Sequence, residues 1–200
     1  DWGHFNLIAE FFAENNFVVV KLNLSHNGTS PEYPIDFIDL GAFGNNNFSI
    51  ELNDLAKVID TIENQELPIP QEEYNSNHIS LIGHSRGGGL ALLKAGEDSR
   101  IKKVITLAAI HDLSKRWPES FIEEWKREGV KYVYNGRTEQ NMPLYYQLVE
   151  DFNQNRERLD IPTKVQNMII PILAFHGTND ETLPVSMAYE MASWNVKVQL

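Results

Sequence analysis

Cysteine is missing from this sequence of 200 residues. Its absence excludes disulfide bonds, zinc sites built on thiolates and a cysteine nucleophile. Long apolar stretches are missing too, since no run approaches the roughly 20 residues that a transmembrane helix requires. Basic residues are scarce, because 17 lysines and arginines face 28 aspartates and glutamates, for a formal charge of −11. We therefore expect a soluble protein that binds no nucleic acid, since a polyanion would be repelled.

Histidines and carboxylates do not cluster in the sequence with the spacing of metal ligands, so we expect neither a metal nor another cofactor. The length suits one domain with a core of its own, and the hydrophobic fraction of 42% is ordinary for a globular protein. The sequence leaves the cellular compartment open, with the cytoplasm favoured. It does not indicate an oligomeric state.

Both ends of the sequence are unusual for a domain. The chain begins with Asp1-Trp2-Gly3 and enters an apolar helical pattern at once, without a methionine or a signal peptide. It ends at residues 196–200 in an alternating pattern that is typical of a strand. We therefore expect further sequence beyond each end.

Strand and helix patterns alternate along most of the chain, which predicts βαβ units. Strands are predicted at 17–24, 78–83, 103–109, 169–175 and 196–200, and helices at 2–15, from a cap at Ser49 to about 66, at 88–97 and at 184–194. This order predicts the α/β class, with a mostly parallel sheet and helices on both faces. Ligand sites in such sheets lie at the carboxyl ends of the strands.

The segment from about 111 to 166 interrupts this alternation. Pro118 and Gly129 fit the start and the stop of a helix. Residues 130–134 are then followed by Asn135-Gly136, which is a strong hairpin signal, and a further helix is predicted from about 143 to 155. We interpret 111–166 as a cap inserted into a single, incomplete domain that spans 1–200.

The sequence Gly83-His84-Ser85-Arg86-Gly87 lies between a predicted strand and a predicted helix. A serine at such a turn projects its hydroxyl above the sheet, and the small residues Gly83, Gly87, Gly88 and Gly89 allow the chain to turn tightly. The helix start behind Ser85 directs N–H groups at the site, so the Arg86 N–H is the natural donor to an oxyanion. Ser85 is therefore a candidate nucleophile, although a serine in an ordinary crossover turn would give the same pattern.

A serine nucleophile requires a base, and the base requires an acid that orients it. Asp180 lies in the turn between a predicted strand and the next helix and is the favoured acid, with Asp112 as the alternative and Glu181 as a weaker one. Asp180 could also be only a turn residue.

No histidine follows Asp180, since the last one in the chain is His176. The residues that could instead line a substrate pocket are His26, His84, His111 and Tyr145. Each histidine of this set could also be a hydrogen-bonded loop residue, and Tyr145 could pack within the cap. The remaining two, His4 and His78, are interpreted as structural or exposed.

At this point the sequence resembles the α/β-hydrolase superfamily, and within it the serine esterases, lipases and acyl-peptidase-like members that carry a cap. The resemblance rests on Gly83-His84-Ser85-Arg86-Gly87-Gly88, on His176-Gly177-Thr178-Asn179-Asp180 followed by Leu183-Pro184, and on the order of the elements. It implies a triad of Ser85, Asp180 and a histidine beyond Leu200, with the Arg86 N–H and a second donor before Asp1 as the oxyanion hole. It further implies hydrolysis of an ester or a related small acyl substrate, with a peptidase, an acyltransferase or a non-catalytic binding protein of the same fold as alternatives.

Overall fold

The computed structural model describes residues 5–200, and the chain divides into two compact units. We call Ser76–Glu119 together with Phe152–Leu200 the elbow unit, because it contains Ser85. We call Asp1–Asn75 together with Ser120–Asp151 the hairpin unit. Each unit is described by itself.

The regular elements follow the predicted alternation in most places. The helices are α1 (Phe5–Glu14), α2 (Leu40–Gly44), α3 (Phe48–Glu63), α4 (Arg86–Glu97), α5 (Glu119–Glu128), α6 (Gln147–Gln154), α7 (Ile161–Gln166) and α8 (Ser186–Trp194), with a short 3₁₀ turn at Gln71–Glu73. The strands are β1 (Ile79–His84), β2 (Ile101–Leu107), β3 (Val130–Asn135), β4 (Gln140–Tyr145), β5 (Ile172–Phe175) and β6 (Val198–Gln199). Trp2 and His4 lie outside the described residues.

The elbow unit is built on a four-stranded sheet with the order β1-β2-β5-β6. All three strand pairs are parallel, which agrees with the predicted βαβ units. Helix α4 packs on β1 and β2, α8 packs on β6, and α7 contacts both helices. The buried alternate residues of the strands, including Val104, Ile172 and Ala174, form the core of this unit. The carboxyl ends of β1, β2 and β5 are therefore held in register at one edge.

In the hairpin unit, β3 and β4 pair antiparallel, as the Asn135-Gly136 signal predicts. Four residues, 136–139, connect the two strands. Trp125 is fully buried beside this hairpin, and its indole N–H donates to the Leu144 carbonyl at 2.8 Å. That bond anchors α5 to β4, so the helix and the hairpin form one packed body.

The predicted strand at 17–24 is absent from the structure. No strand among residues 5–200 pairs with this segment, and its side chains are largely exposed, with Phe17 at 56%. A β-branched, apolar sequence favours a strand, but a strand also needs a neighbour to complete its hydrogen bonds. The prediction was therefore wrong for the residues described.

Two predicted helix starts were also wrong. Asn47, not Ser49, caps α3, because its side-chain oxygen accepts the Ile50 N–H at 2.9 Å. The Ser49 N–H donates instead to Asp151 Oδ2 at 3.1 Å. The helix predicted from about 143 begins only at Gln147, since the residues before it pair with β3.

A charged cluster behind α4 leads to a prediction about stability. The Lys94 ammonium is nearly buried, at 4% exposure of the side chain, and lies 2.8 Å from Glu97 Oε1. Arg158 donates to both Glu97 oxygens, at 2.8 and 3.0 Å. Burial alone would raise the pKa of Glu97, but the hydrogen bonds from Arg158 and Lys94 outweigh it and leave the pKa below 4.5.

We expect Glu97→Gln to destabilise the protein by about 3 kcal/mol, because it leaves the buried Lys94 charge unpaired. Since the folded pKa of Glu97 is lowered, its stabilisation is complete above its ordinary pKa of 4.5 and is lost as the pH falls further. Urea unfolding at several pH values measures both effects. Arg127→Gln, which breaks an exposed pair with Glu128, is the control and should cost less than about 1 kcal/mol. Equal losses in the two variants would contradict the prediction.

Candidate active site

Ser85 joins the last residue of β1 to the first residue of α4. Its backbone has φ 52° and ψ −118°, a conformation that residues with a Cβ atom rarely adopt. Such strain costs of order 1–3 kcal/mol and persists only where the surroundings enforce it. Among the described residues, the Ser85 hydroxyl is not engaged in a hydrogen bond. The sharp turn predicted from the sequence is therefore present, with the hydroxyl uncommitted.

Backbone hydrogen bonds hold this turn against the segment that follows β2. The Ser85 N–H donates to the Leu107 carbonyl at 2.9 Å, and the Ser85 carbonyl accepts the Ile110 N–H at 3.1 Å. Between these contacts, Ala108 has a positive φ of 45°, and its N–H donates to the Phe175 carbonyl at 2.8 Å. A second strained residue thus links the turn at Ser85 to the end of β5. The sequence contained no signal for it, because alanine gives no warning of a positive φ.

Glycines permit the close approach of chain segments in the turn. A Cβ at Gly83 would lie 2.2 Å from the Gly87 carbonyl oxygen, and one at Gly88 would lie 2.6 Å from the Ala109 Cβ. A Cβ at Gly89 would meet the Ile110 carbonyl oxygen at 3.0 Å. At Gly87 a Cβ would meet no atom within 4 Å. The expectation that the turn excludes side-chain bulk is confirmed for three of the glycines and is wrong for Gly87.

Asp180 lies in the loop after β5, within the same unit as Ser85. Its Oδ1 accepts the N–H groups of Thr182 and Leu183, both at 2.9 Å. Hydrogen bonds from Leu183 and Thr182, followed by the charges of His176 and His84, lower the pKa of Asp180. The carboxyl is therefore ionised at neutral pH, and its orientation is set through one oxygen while Oδ2 remains available.

The two alternative acids lie in different surroundings. Asp112 Oδ1 accepts both the N–H and the hydroxyl of Ser114, at 2.8 and 2.6 Å, and Asp112 Oδ2 lies 3.4 Å from Lys115 Nζ. Both carboxylate oxygens of Asp112 therefore already have partners, in Ser114 and Lys115. Glu181 is exposed. Of the three carboxylates, Asp180 best combines a fixed orientation with an oxygen able to accept from an imidazole.

The histidines of the elbow unit have distinct environments. His84 ends β1 directly before Ser85 and is exposed. His111 is buried, stacks on Trp194 at 5.5 Å between ring centres, and has its Nε2 2.9 Å from Glu190 Oε2. His176 is also buried, and its Nε2 lies 2.6 Å from the Leu183 carbonyl, which can only accept, so Nε2–H is the donor. His176 Nε2 also lies 3.9 Å from Asp180 Oδ2, so His176 contacts the loop after β5 that contains Asp180.

The other two pocket candidates belong to the hairpin unit. His26 has its Nδ1 2.8 Å from the Ser25 hydroxyl. Tyr145 ends β4, and its ring lies over Gly44 of α2, where an added Cβ would be 2.7 Å from the ring. Tyr145 therefore has a packing role, and whether either residue meets substrate stays a prediction.

Sequence reasoning missed Glu190 as a neighbour of a candidate site residue, and it assigned no contact to His176 of the motif around Asp180. Glu190 pairs with both His111 and Lys115, and His176 closes the loop around Asp180. Glu190 stands four residues before Trp194 on α8, so their helical spacing could have suggested a common partner. Within residues 5–200, histidine and carboxylate side chains do not gather into a group that could hold a metal ion. A search of the same residues found no helix with the length and apolar character to cross a membrane.

Known protein-family models do not match this chain, and neither do curated proteins. Solved structures do. It is similar to alpha/beta hydrolase domain-containing protein 10 from mouse, with 17% identity, a TM-score of 0.54, and coverage of 77% of this chain and 56% of that one. It is also similar to Est1E from Butyrivibrio proteoclasticus, with 18% identity, a TM-score of 0.53 and coverage of 78% and 59%.

A third similar structure is the monoacylglycerol lipase from Paleococcus ferrophilus, with 17% identity, a TM-score of 0.50 and coverage of 72% and 60%. The chain thus spans less than two thirds of the length of each of these proteins. At such low identity the likeness shows the fold and not the activity. Together with the parallel sheet and the turn at Ser85, it shows that this chain has the α/β-hydrolase fold, which confirms the predicted fold class.

Proposed function

We propose that the protein containing this chain is a serine hydrolase that cleaves a carboxylic ester or a related acyl substrate through an acyl-enzyme on Ser85. One observation carries the proposal: Ser85 is held in a strained conformation at the start of α4, with its hydroxyl uncommitted. Backbone strain concentrates at functional sites, and four hydrogen bonds to the Ser85 N–H and carbonyl enforce it here. A serine in an ordinary turn between a strand and a helix would not require this strained backbone conformation.

The chemistry follows from this geometry. Ser85 Oγ attacks the substrate carbonyl carbon, a new C–O bond forms, and the hydroxyl proton passes to a base. The carbonyl oxygen becomes an oxyanion, which the Arg86 N–H at the start of α4 stabilises. The leaving group departs with the proton, and water then repeats the sequence on the acyl-enzyme and restores Ser85.

The base in this proposal is a histidine beyond Leu200. Two of the described histidines are less suited to be the base, because His111 Nε2 bonds to Glu190 and the Nε2–H of His176 donates to the Leu183 carbonyl. Asp180 holds the imidazole in the reactive tautomer through Oδ2 and stabilises its charged form. The lowered pKa of Asp180 supports that role, because an acid that orients an imidazolium must be ionised.

A fluorophosphonate probe tests the proposal on the full-length protein. The probe phosphonylates only an activated serine, so mass spectrometry of the labelled protein should find the adduct on the peptide that contains Ser85. Hydrolysis of p-nitrophenyl acetate should show an initial burst that equals the labelled fraction. A full-length protein that is folded but takes up no label would show that Ser85 is not a nucleophile.

We expect Asp180→Asn to lower kcat by about 10⁴-fold without unfolding the protein, since an amide cannot fix the tautomer of the base. Steady-state hydrolysis of p-nitrophenyl acetate measures the change, and circular dichroism checks the fold. Asp112→Asn is the matched control, and its effect should stay within about tenfold because that carboxylate bonds only to its own turn. The reverse order of the two effects would assign the acid to Asp112.

A further inference from the structure

His111 is a buried histidine whose two ring nitrogens have different surroundings. Its side chain is 5% exposed, and its Nε2 lies 2.9 Å from Glu190 Oε2. Its Nδ1 is buried as well, but no atom among residues 5–200 offers it a hydrogen bond. Hydrogen bonds from His111 and then Lys115 lower the pKa of Glu190, so its carboxylate is ionised at neutral pH and can only accept. Nε2 therefore carries the proton, and the ring makes one directed hydrogen bond within the described chain.

Packing alone does not account for a histidine at this position. A buried ring nitrogen without a partner costs free energy, whereas a phenylalanine would fill a similar space without that cost. The ring stacks on Trp194, with 5.5 Å between ring centres and 10° between the planes, and a phenylalanine could stack there too. A phenylalanine could not supply the N–H donor to Glu190. The directed bond is therefore the feature that distinguishes His111 from an apolar residue.

The bond from His111 to Glu190 joins two parts of the elbow unit that hold the proposed catalytic residues. On one side, His111 follows Ile110, whose N–H donates to the Ser85 carbonyl at 3.1 Å. On the other side, Glu190 belongs to α8, the helix that follows the loop of Asp180. A short path thus runs from the turn at Ser85, through the segment after β2, to the helix behind the loop of Asp180.

A second contact ties the same segment to α8. Lys115 Nζ lies 3.3 Å from Glu190 Oε1, while His111 Nε2 lies on Oε2, so each carboxylate oxygen has a partner from this segment. The Lys115 side chain is 62% exposed, where water screens its charge, whereas the His111 contact is largely removed from water. We therefore expect the contact with His111 to dominate.

We propose that the hydrogen bond from His111 to Glu190 positions the turn at Ser85 relative to α8, and so relative to the acid Asp180. The inference rests on the proposed function, because it matters for catalysis only if Ser85 is the nucleophile and Asp180 the acid. Proton transfer depends on hydrogen-bond geometry, and a misplacement of about 1 Å can lower a rate about 100-fold. His111 and Glu190 are positioning residues in this proposal and take no part in the bond-breaking steps.

Three single variants of the full-length protein test the proposal through hydrolysis of p-nitrophenyl acetate. His111→Phe keeps a ring beside Trp194 but removes the donor, and Glu190→Ala removes the acceptor. We expect each to lower kcat about tenfold while KM changes less than about twofold. Glu190→Gln keeps an acceptor oxygen, so its kcat should stay within about threefold of the wild-type value. A double variant of His111→Phe and Glu190→Ala should lose no more than either single variant, because both remove the same bond.

Fluorophosphonate labelling separates positioning from a loss of folded protein. His111→Phe and Glu190→Ala should reach the same final labelled fraction as the wild-type protein at a rate about tenfold lower, whereas partial unfolding would reduce the final fraction. The Glu190 side chain is 45% exposed, so Glu190→Ala should fold even if His111→Phe does not. Glu157→Ala is the matched control, because Glu157 is an exposed glutamate of the same unit, and it should keep the wild-type kcat and labelling rate.

The outcomes distinguish this inference from the proposed function. A wild-type kcat and labelling rate in either His111→Phe or Glu190→Ala would overturn the inference and leave the hydrolase assignment intact. Losses that multiply in the double variant, or that affect only the final labelled fraction, would overturn it too, because the pair would then only stabilise the fold. A folded wild-type protein that takes up no label would refute the proposed function, and the inference with it.

Discussion

Replacement of Ser85 by alanine in the full-length protein is expected to lower kcat by about 10⁶-fold and to abolish fluorophosphonate labelling. The loss is large because, in the proposed mechanism, the hydroxyl oxygen of Ser85 forms the acyl bond. The fold should survive, since the Ser85 hydroxyl makes no hydrogen bond among the described residues and the turn is held by backbone bonds. The free energy of unfolding should therefore change by less than about 1 kcal/mol.

Ser99→Ala is the matched control, because Ser99 is an exposed serine in a turn of the same unit. It should retain both full labelling and full activity. Hydrolysis by Ser85→Ala at the wild-type rate would place the nucleophile elsewhere. A variant that is still labelled would do the same, and the labelled peptide would identify the residue.

Gly83→Ala is expected to disrupt the turn at Ser85 although it adds only one methyl group. The new Cβ would lie 2.2 Å from the Gly87 oxygen, 2.5 Å from the Gly87 carbonyl carbon and 2.7 Å from the Gly88 nitrogen. All three are backbone atoms at the start of α4, so no side chain can move aside. We expect a loss of about 3 kcal/mol in the free energy of unfolding, together with the loss of Ser85 labelling, because the turn must open.

Gly87→Ala is a sharp control for the same added methyl group. Its Cβ would meet no atom within 4 Å, so the free energy of unfolding should change by less than about 1 kcal/mol. Urea unfolding of the two variants and the wild-type protein makes the comparison. A Gly83→Ala variant that is as stable and as readily labelled as the wild-type protein would contradict the close packing of Gly83 against the backbone of Gly87 and Gly88.

The sequence alone predicted much of the elbow unit. The parallel strands and the helices behind them follow from apolar patterns a few residues long, and the turn at Ser85 follows from glycines within four positions of it. Asp180 was favoured as the acid because it lies in the turn after a strand, and that local signal agrees with its orientation by Thr182 and Leu183. Its part in catalysis remains a proposal.

Features that depend on partners distant in the sequence escaped prediction. Residues 17–24 have the composition of a strand but lack a neighbouring strand among the described residues. The start of α3 depends on which polar residue faces the helix N–H groups, and Asn47 does so in place of Ser49. Nothing in the sequence around Lys115 shows that the distant Glu190 lies 3.3 Å from its ammonium.

The sequence by itself determined the alternation of strands and helices in the elbow unit, the turn at Ser85 and the position of Asp180 in the loop after a strand. These features are set by residues close together in the chain, whose periodicity and turn chemistry can be read directly. Only the tertiary structure decided that Ala108 and Ser85 share a strained junction and that Glu190 lies on both His111 and Lys115. Hydrogen bonds and charges between distant residues set those features, and such pairings arise only when the chain folds.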